Sequence, residues 1–312
     1  MEQGTREAYG NTLVELGRQN PNIVVLDADL SKSTQTQLFG REFPDRFFDC
    51  GIAEQNMMGI AAGLAASGKT VFASTFAVFA PGRCFDQIRM SIAQPGLNVK
   101  IVTTHGGITV GEDGTSHHAI EDLALICSLP GFTVIVPADA LETTQAIKVA
   151  AQTYGPFYIR LSRPKTPVVH SPGYKFIPGK AVTLREGKDI TVIAIGIMVA
   201  AALDAAQSLA RDGIDCRVLS MSTIKPIDRD AIIKAATETG AIVTAEEHLQ
   251  RGGLGSAVAQ VVAEQRPVPM SFIAISDVYA KSGKAQELLQ KYRLTAGDIE
   301  STARSLILKK QK

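Results

Sequence analysis

A single acid, Glu54, opens a small-residue segment, Gly59-Ile60-Ala61-Ala62-Gly63-Leu64-Ala65-Ala66, directly after a short apparent strand. A carboxyl group there is a candidate for acid–base chemistry. By itself it is equally a first-turn residue offsetting the helix dipole. Small residues beyond it let a ligand or another helix approach the backbone. Phe76 and Phe79 follow near the end of the next strand, where core packing is their ordinary use. Then a glycine-rich loop carries His105-Gly106-Gly107, Gly111-Glu112-Asp113-Gly114 and His117-His118. Glycines, acids and imidazoles on one long loop after a strand suggest a site, because loops at the C-terminal ends of parallel strands host ligands. A metal site is the rival use of those histidines. No cysteine or carboxylate set at ligand spacing accompanies them. Arg6 and Arg163, taken singly, are ordinary solvated cations.

Two motifs imitate nucleotide sites. Gly63-Leu64-Ala65-Ala66-Ser67-Gly68-Lys69-Thr70 matches the P-loop letters. Its expected neighbours are in the wrong order, with a helix before it and a strand after it. A helix C-terminus repels the anion that a P-loop binds. Gly253-Leu254-Gly255 imitates a dinucleotide fingerprint, but Val258 stands where the third small residue belongs.

The elements that must position these residues alternate. Hydrophobic periodicity predicts helices over 6–17, 52–67, 81–92, 120–128 and 140–153, and strands over 22–26, 70–75, 98–104, 132–136 and 157–161. A proline-bearing stretch from Pro164 to Pro178 breaks the pattern. A second α/β run follows, with strands over 190–195, 215–220, 241–245 and 271–275 and helices over 199–211, 229–239 and 254–265. Apolar strands with helical crossovers predict an α/β fold with mostly parallel sheets. The expected division is residues 1–166, a linker over 167–188, and a smaller unit over 189–312.

Bulk composition agrees with two domains of ordinary size. The chain has 312 residues, 45% hydrophobic and 20% charged, with 32 basic against 31 acidic residues. That balance points to neither a nucleic-acid nor a membrane surface. The four cysteines form no C-x-x-C pair, and the first fifteen residues carry no apolar run. A cytoplasmic protein with reduced thiols is the expectation.

Taken together, Thr5-Arg6-Glu7-Ala8-Tyr9-Gly10, Gly51-Ile52-Ala53-Glu54-Gln55-Asn56-Met57, Ser74-Thr75-Phe76, Phe85-Asp86-Gln87-Ile88-Arg89 and Gly111-Glu112-Asp113-Gly114 resemble transketolase. Thr223-Ile224-Lys225-Pro226-Ile227-Asp228 and Ser282-Gly283-Lys284 extend the resemblance through the second half. It implies a thiamine-diphosphate pyrimidine-binding domain followed by a transketolase C-terminal domain, the C-terminal portion of a split enzyme. The implied activity is two-carbon ketol transfer between a phosphorylated ketose and an aldose, as in the pentose phosphate pathway. The family's G-D-G…N metal motif is not found here, so the resemblance assigns the diphosphate and Mg²⁺ (or Ca²⁺) to a separate N-terminal subunit in an α₂β₂ heterotetramer, and assigns no metal ligand to this chain.

By the same resemblance Glu54 contacts N1′ of the coenzyme's aminopyrimidine, and Phe79, with Phe76 nearby, stacks on that ring. His105 and His117 act on sugar hydroxyls, Asp113 holds a donor hydroxyl, and Arg6, Ser33 and Arg163 clamp the sugar phosphate. Other readings of the same residues are the β-subunit of a thiamine-diphosphate 2-oxo-acid dehydrogenase, a relative of deoxyxylulose phosphate synthase, and a non-catalytic assembly subunit.

Overall fold

The computed structural model describes residues 2–310, so Met1 and the last two residues of the expected 1–166 and 189–312 units lie outside the described residues. A seven-stranded sheet runs in the order Thr223–Lys225, Thr133–Ile135, Phe157–Arg160, Val99–Thr104, Thr70–Phe76, Ile23–Asp27, Phe47–Asp49. All its pairings are parallel except that of Thr223–Lys225. A five-stranded sheet runs Met270–Ile275, Ile242–Leu249, Ile190–Ala194, Cys216–Ser220, Val182–Arg185, antiparallel only at Val182–Arg185. Glu2–Gly4 pairs with Lys165–Pro167 in a small ribbon. Every residue of Ile23–Asp27, Thr70–Phe76, Val99–Thr104 and Phe157–Arg160 is buried. These strands are apolar-rich because helices cover both faces. Among the described residues no helix is long and apolar enough to cross a membrane.

Three features depart from the pattern read in the sequence. Val182–Arg185 falls inside the expected 167–188 linker yet forms the edge of the second sheet. Thr183 is exposed and the other three residues are half-buried, so no apolar run marks it. Thr223–Lys225 leaves the second half of the chain to pair with Thr133–Ile135 of the first sheet, which local pattern cannot show. The helix expected over 81–92 starts earlier, as Phe79–Gln87, and continues as a π-turn over Ile88–Ala93. Pro81 sits in its first turn, where a missing N–H costs no helical bond.

The segment after the first unit is fastened by a buried polar cluster. Asp139 Oδ2 accepts from the Val169 and His170 amides at 2.8 and 2.9 Å and lies 3.0 Å from His170 Nδ1. Tyr174 stacks on His170 and its hydroxyl donates to Glu142 at 2.7 Å. Burial opposes the charge on His170, but the Asp139 bond and the Glu142 charge prevail and raise its pKa. Asp139 is desolvated by burial, yet its bonds from His170 and the Glu142 amide lower its pKa. Because the histidine is raised, its stabilisation is complete below the unfolded value of about 6.5 and disappears as pH rises through the folded value. Urea melts of wild type and His170→Gln should therefore differ most near about pH 5.5, with Asp139 still ionised, and converge in alkaline buffer. A pH-independent difference would contradict the ion pair.

Candidate functional site

The residues singled out in the sequence lie just beyond the C-terminal ends of parallel strands. Ser33 follows Ile23–Asp27, Glu54 follows Phe47–Asp49, Phe79 follows Thr70–Phe76, His105 follows Val99–Thr104, and Arg163 follows Phe157–Arg160. Open α/β sheets place ligands at this edge, because loops there converge without interrupting the ladder.

Glu54 is the first residue of the helix Glu54–Ala66, and its side chain is only 2% exposed. Arg83 Nη1 donates to Glu54 Oε2 at 3.1 Å. The Arg83 guanidinium also lies 4.1 Å from the Phe79 ring centroid. One planar cation therefore bridges the acid and the aromatic face. Arg83 is four residues beyond Phe79, the spacing that puts two side chains on one helix face. The sequence reading passed it over, and that spacing was the available signal.

Phe76 links this corner to the imidazoles. Its ring stacks on Phe79 at 5.8 Å and on His105 at 3.8 Å, and His117 meets Phe79 edge-on at 5.4 Å. His105 is held at φ +60°, an uncommon conformation for a residue with a Cβ, with Nδ1 2.8 Å from Thr104 Oγ1. Burial, then the Arg6 and Arg163 charges, push its pKa down to about 3. His105 is thus a neutral imidazole through the physiological range. Long-range ¹H–¹⁵N spectra should show a neutral tautomer at about pH 5, where a free histidine is protonated; an imidazolium pattern there would contradict this environment.

The third corner is basic. Arg6 Nη1 donates to the Ser33 carbonyl at 2.7 Å, while Arg6 Nε is buried without a hydrogen-bond partner. Burial lowers the Arg6 pKa, Glu7 opposes this, and Arg163 lowers it further. The two guanidiniums are therefore close enough to repel each other. Asp27 organises the Ser33 turn, accepting from Leu30 N, Thr34 Oγ1 and Thr36 Oγ1 at 2.6, 2.7 and 2.8 Å. Arg163 reaches the Val110 carbonyl and, at 3.8 Å, Glu112. Asp113 stands exposed on the same loop, where its charge raises the His118 pKa against the larger effect of burial. Its side chain is not drawn into the ring cluster.

The imitation motifs resolve as ordinary structure. The P-loop letters span the end of Glu54–Ala66 and the start of Thr70–Phe76, a helix-to-strand order. At Gly253-Leu254-Gly255 the Glu246 carboxylate accepts from the Leu254 and Gly255 amides at 2.7 and 2.8 Å. The helix N-terminus that would meet a phosphate is already occupied by an internal carboxyl group.

Family models for "Transketolase, pyrimidine binding domain" and "Transketolase, C-terminal domain" match residues 1–168 and 179–299. The chain belongs to the transketolase family. It is 48% identical to a putative transketolase C-terminal section of Methanocaldococcus jannaschii, covering 98% of this chain and 96% of that protein. It is 41% identical to the 6-deoxy-6-sulfo-D-fructose transketolase subunit of a Clostridium species, covering 99% and 96%. It is also 41% identical to human transketolase, but there it spans 49% of the relative's length. A split gene transketolase solved as an inactive beta4 tetramer superposes with TM-score 0.92 at 55% identity, covering 98% of both chains. The transketolase pyrimidine-binding and C-terminal domains are thus both present, in the length of a split-type subunit.

Proposed function

We propose that this chain is the pyrimidine-side subunit of a split transketolase, moving a two-carbon ketol unit between a phosphorylated ketose and an aldose with thiamine diphosphate. The observation that carries this reading is the continuous run from Glu54 through Phe79, Phe76 and His105 to the Arg6 and Arg163 cations. Arg83 lies over the Phe79 face and pairs with Glu54, and in this reading the aminopyrimidine takes that place beside the Glu54 carboxyl with Arg83 turned aside.

In this reading the bound coenzyme supplies a carbon nucleophile and an electron sink. Glu54 holds a proton at N1′. Phe79 and Phe76 fix the plane of the ring. His105, kept neutral, and His117 orient sugar hydroxyls and move protons at them, and Asp113 binds a donor hydroxyl. Arg6, Ser33 and Arg163 hold the anionic end of the sugar, using the buried Arg6 Nε that has no protein partner. Relatives named for 6-deoxy-6-sulfo-D-fructose and apulose-4-phosphate both have an anionic substituent in that name, in keeping with a basic clamp. Diphosphate and Mg²⁺ (or Ca²⁺) belong to an N-terminal subunit in an α₂β₂ assembly. Exposed Ile52, Gly59, Ile60 and Gly63 flank Glu54 and offer that subunit an apolar face with little relief. The division into a pyrimidine-binding unit over 1–166 and a C-terminal unit belongs to the same proposal, with the second boundary moved back to include Val182–Arg185.

The test is reconstitution. The chain alone, given thiamine diphosphate and Mg²⁺, should show no ketol transfer, and adding the N-terminal subunit should produce it. Turnover by the lone chain would contradict the divided site. A reconstituted complex inert toward phosphorylated ketose–aldose pairs would contradict the activity.

A further inference from the structure

The loop over 105–118 carries three of the proposed substrate contacts yet has almost no regular structure, only a single 3₁₀ turn at Gly111–Asp113. Ordering such a segment costs entropy at each residue. Besides Arg163 and the Leu161 carbonyl of its own unit, the groups that hold it come from the second unit. Glu247, on Ile242–Leu249, accepts from the Thr109 amide through Oε1 at 2.6 Å, both groups being buried. At Gly107, φ +81°, a Cβ would come within 2.1 Å of the Glu247 carboxyl, so the loop backbone lies directly on that side chain. Further along, Ser282 Oγ donates to the Glu112 carbonyl and Thr115 Oγ1 to the Ala280 carbonyl, both at 2.5 Å. Leu249 N closes the series by donating to the Ile120 carbonyl at 2.8 Å.

Glu247 is itself fixed from the first sheet. Arg160 Nη2 donates to the Glu247 and Ala119 carbonyls, each at 2.9 Å, and Arg160 Nε pairs with Asp122 at 2.9 Å. The anchors therefore fall at positions 109, 112, 115 and 120, on either side of Asp113 and His117, and three are made by backbone carbonyls or amides that any loop sequence would present. Such contacts dictate where the loop runs rather than which residues it bears.

We propose that the C-terminal unit is a clamp that sets the course of the substrate loop, with Glu247 as its principal positioning residue. The proposal rests on the reading above only in that His105, Asp113 and His117 touch substrate. Two variants separate the clamp from general stability. Glu247→Gln keeps the shape but weakens acceptance of the Thr109 amide. The double variant Ser282→Ala/Thr115→Val removes one exposed and one part-buried contact and leaves the Arg160 network intact.

Amide hydrogen exchange on the full chain should show residues 107–118 exchanging about tenfold faster in each variant, with the core strands of both sheets unchanged. In the reconstituted complex each variant should raise KM for the phosphorylated donor about tenfold, with a smaller change in kcat. Unchanged loop exchange in both variants would overturn the clamp. Faster loop exchange with wild-type KM and kcat would overturn it as well, since the course of the loop would then be irrelevant to substrate. A wild-type complex lacking ketol transfer would instead count against the proposed activity, and the exchange experiment does not depend on it.

Discussion

Glu54→Gln, in the complex reconstituted with its N-terminal subunit, should slow exchange of the coenzyme C2 proton by about 10²-fold or more, the usual scale for a lost acid–base group. Glutamine preserves the volume and can still face a ring nitrogen, but it cannot carry an ionisable proton. The carboxyl is almost wholly removed from water, so bulk buffer has little access to replace it. Stability should hardly change. The Arg83 partner is about half exposed, and such pairs contribute only about 0–1 kcal/mol. A large loss in exchange with a near-native melting temperature would separate chemistry from folding. Proton exchange by NMR at wild-type rate would remove Glu54 from the mechanism, whatever the residual turnover.

Arg6→Met and Arg163→Met should each raise KM for a phosphorylated substrate by about 10- to 100-fold, because a hydrogen bond to a charged group is worth about 1.5–3 kcal/mol. An unphosphorylated sugar should react with nearly unchanged constants in both variants. The comparison matters because either variant also removes a guanidinium that depresses the His105 pKa. A general disturbance of His105 would harm both sugars alike, whereas loss of the phosphate clamp would harm one. Arg6→Lys should recover only part of the loss, since a single ammonium cannot present a planar fork. Removal of Arg6 also relieves repulsion from Arg163, so its fold should survive. Equal losses with both sugars would refute the clamp.

Much of the site could be read from the chain because its residues lie within short motifs. Glu54 follows a strand and starts a helix, and the glycine-rich loop follows another strand. Position relative to the sheet was therefore implicit in periodicity. Arg83 was missed because a cation on an amphipathic helix looks like any solvated cation until its neighbours are known. Glu247 was missed for a stronger reason. Its amide partner, Thr109, is 138 residues away, and no local pattern records such a contact. The linker failed in part for the same cause, since Val182–Arg185 becomes a strand only through its antiparallel neighbour Cys216–Ser220.

Residue order alone settled the α/β class, the reversed polarity of the P-loop letters and the family, since each depends on hydrophobic period or on contiguous motifs. Tertiary structure alone decided that Arg83 lies between Glu54 and Phe79, that His105 is forced to be neutral, and that one unit's backbone and carboxylate hold the other unit's loop. Those outcomes arise from burial and from groups brought together by chain crossovers. Burial and long-range proximity are properties of the packed molecule, and no window of sequence contains them.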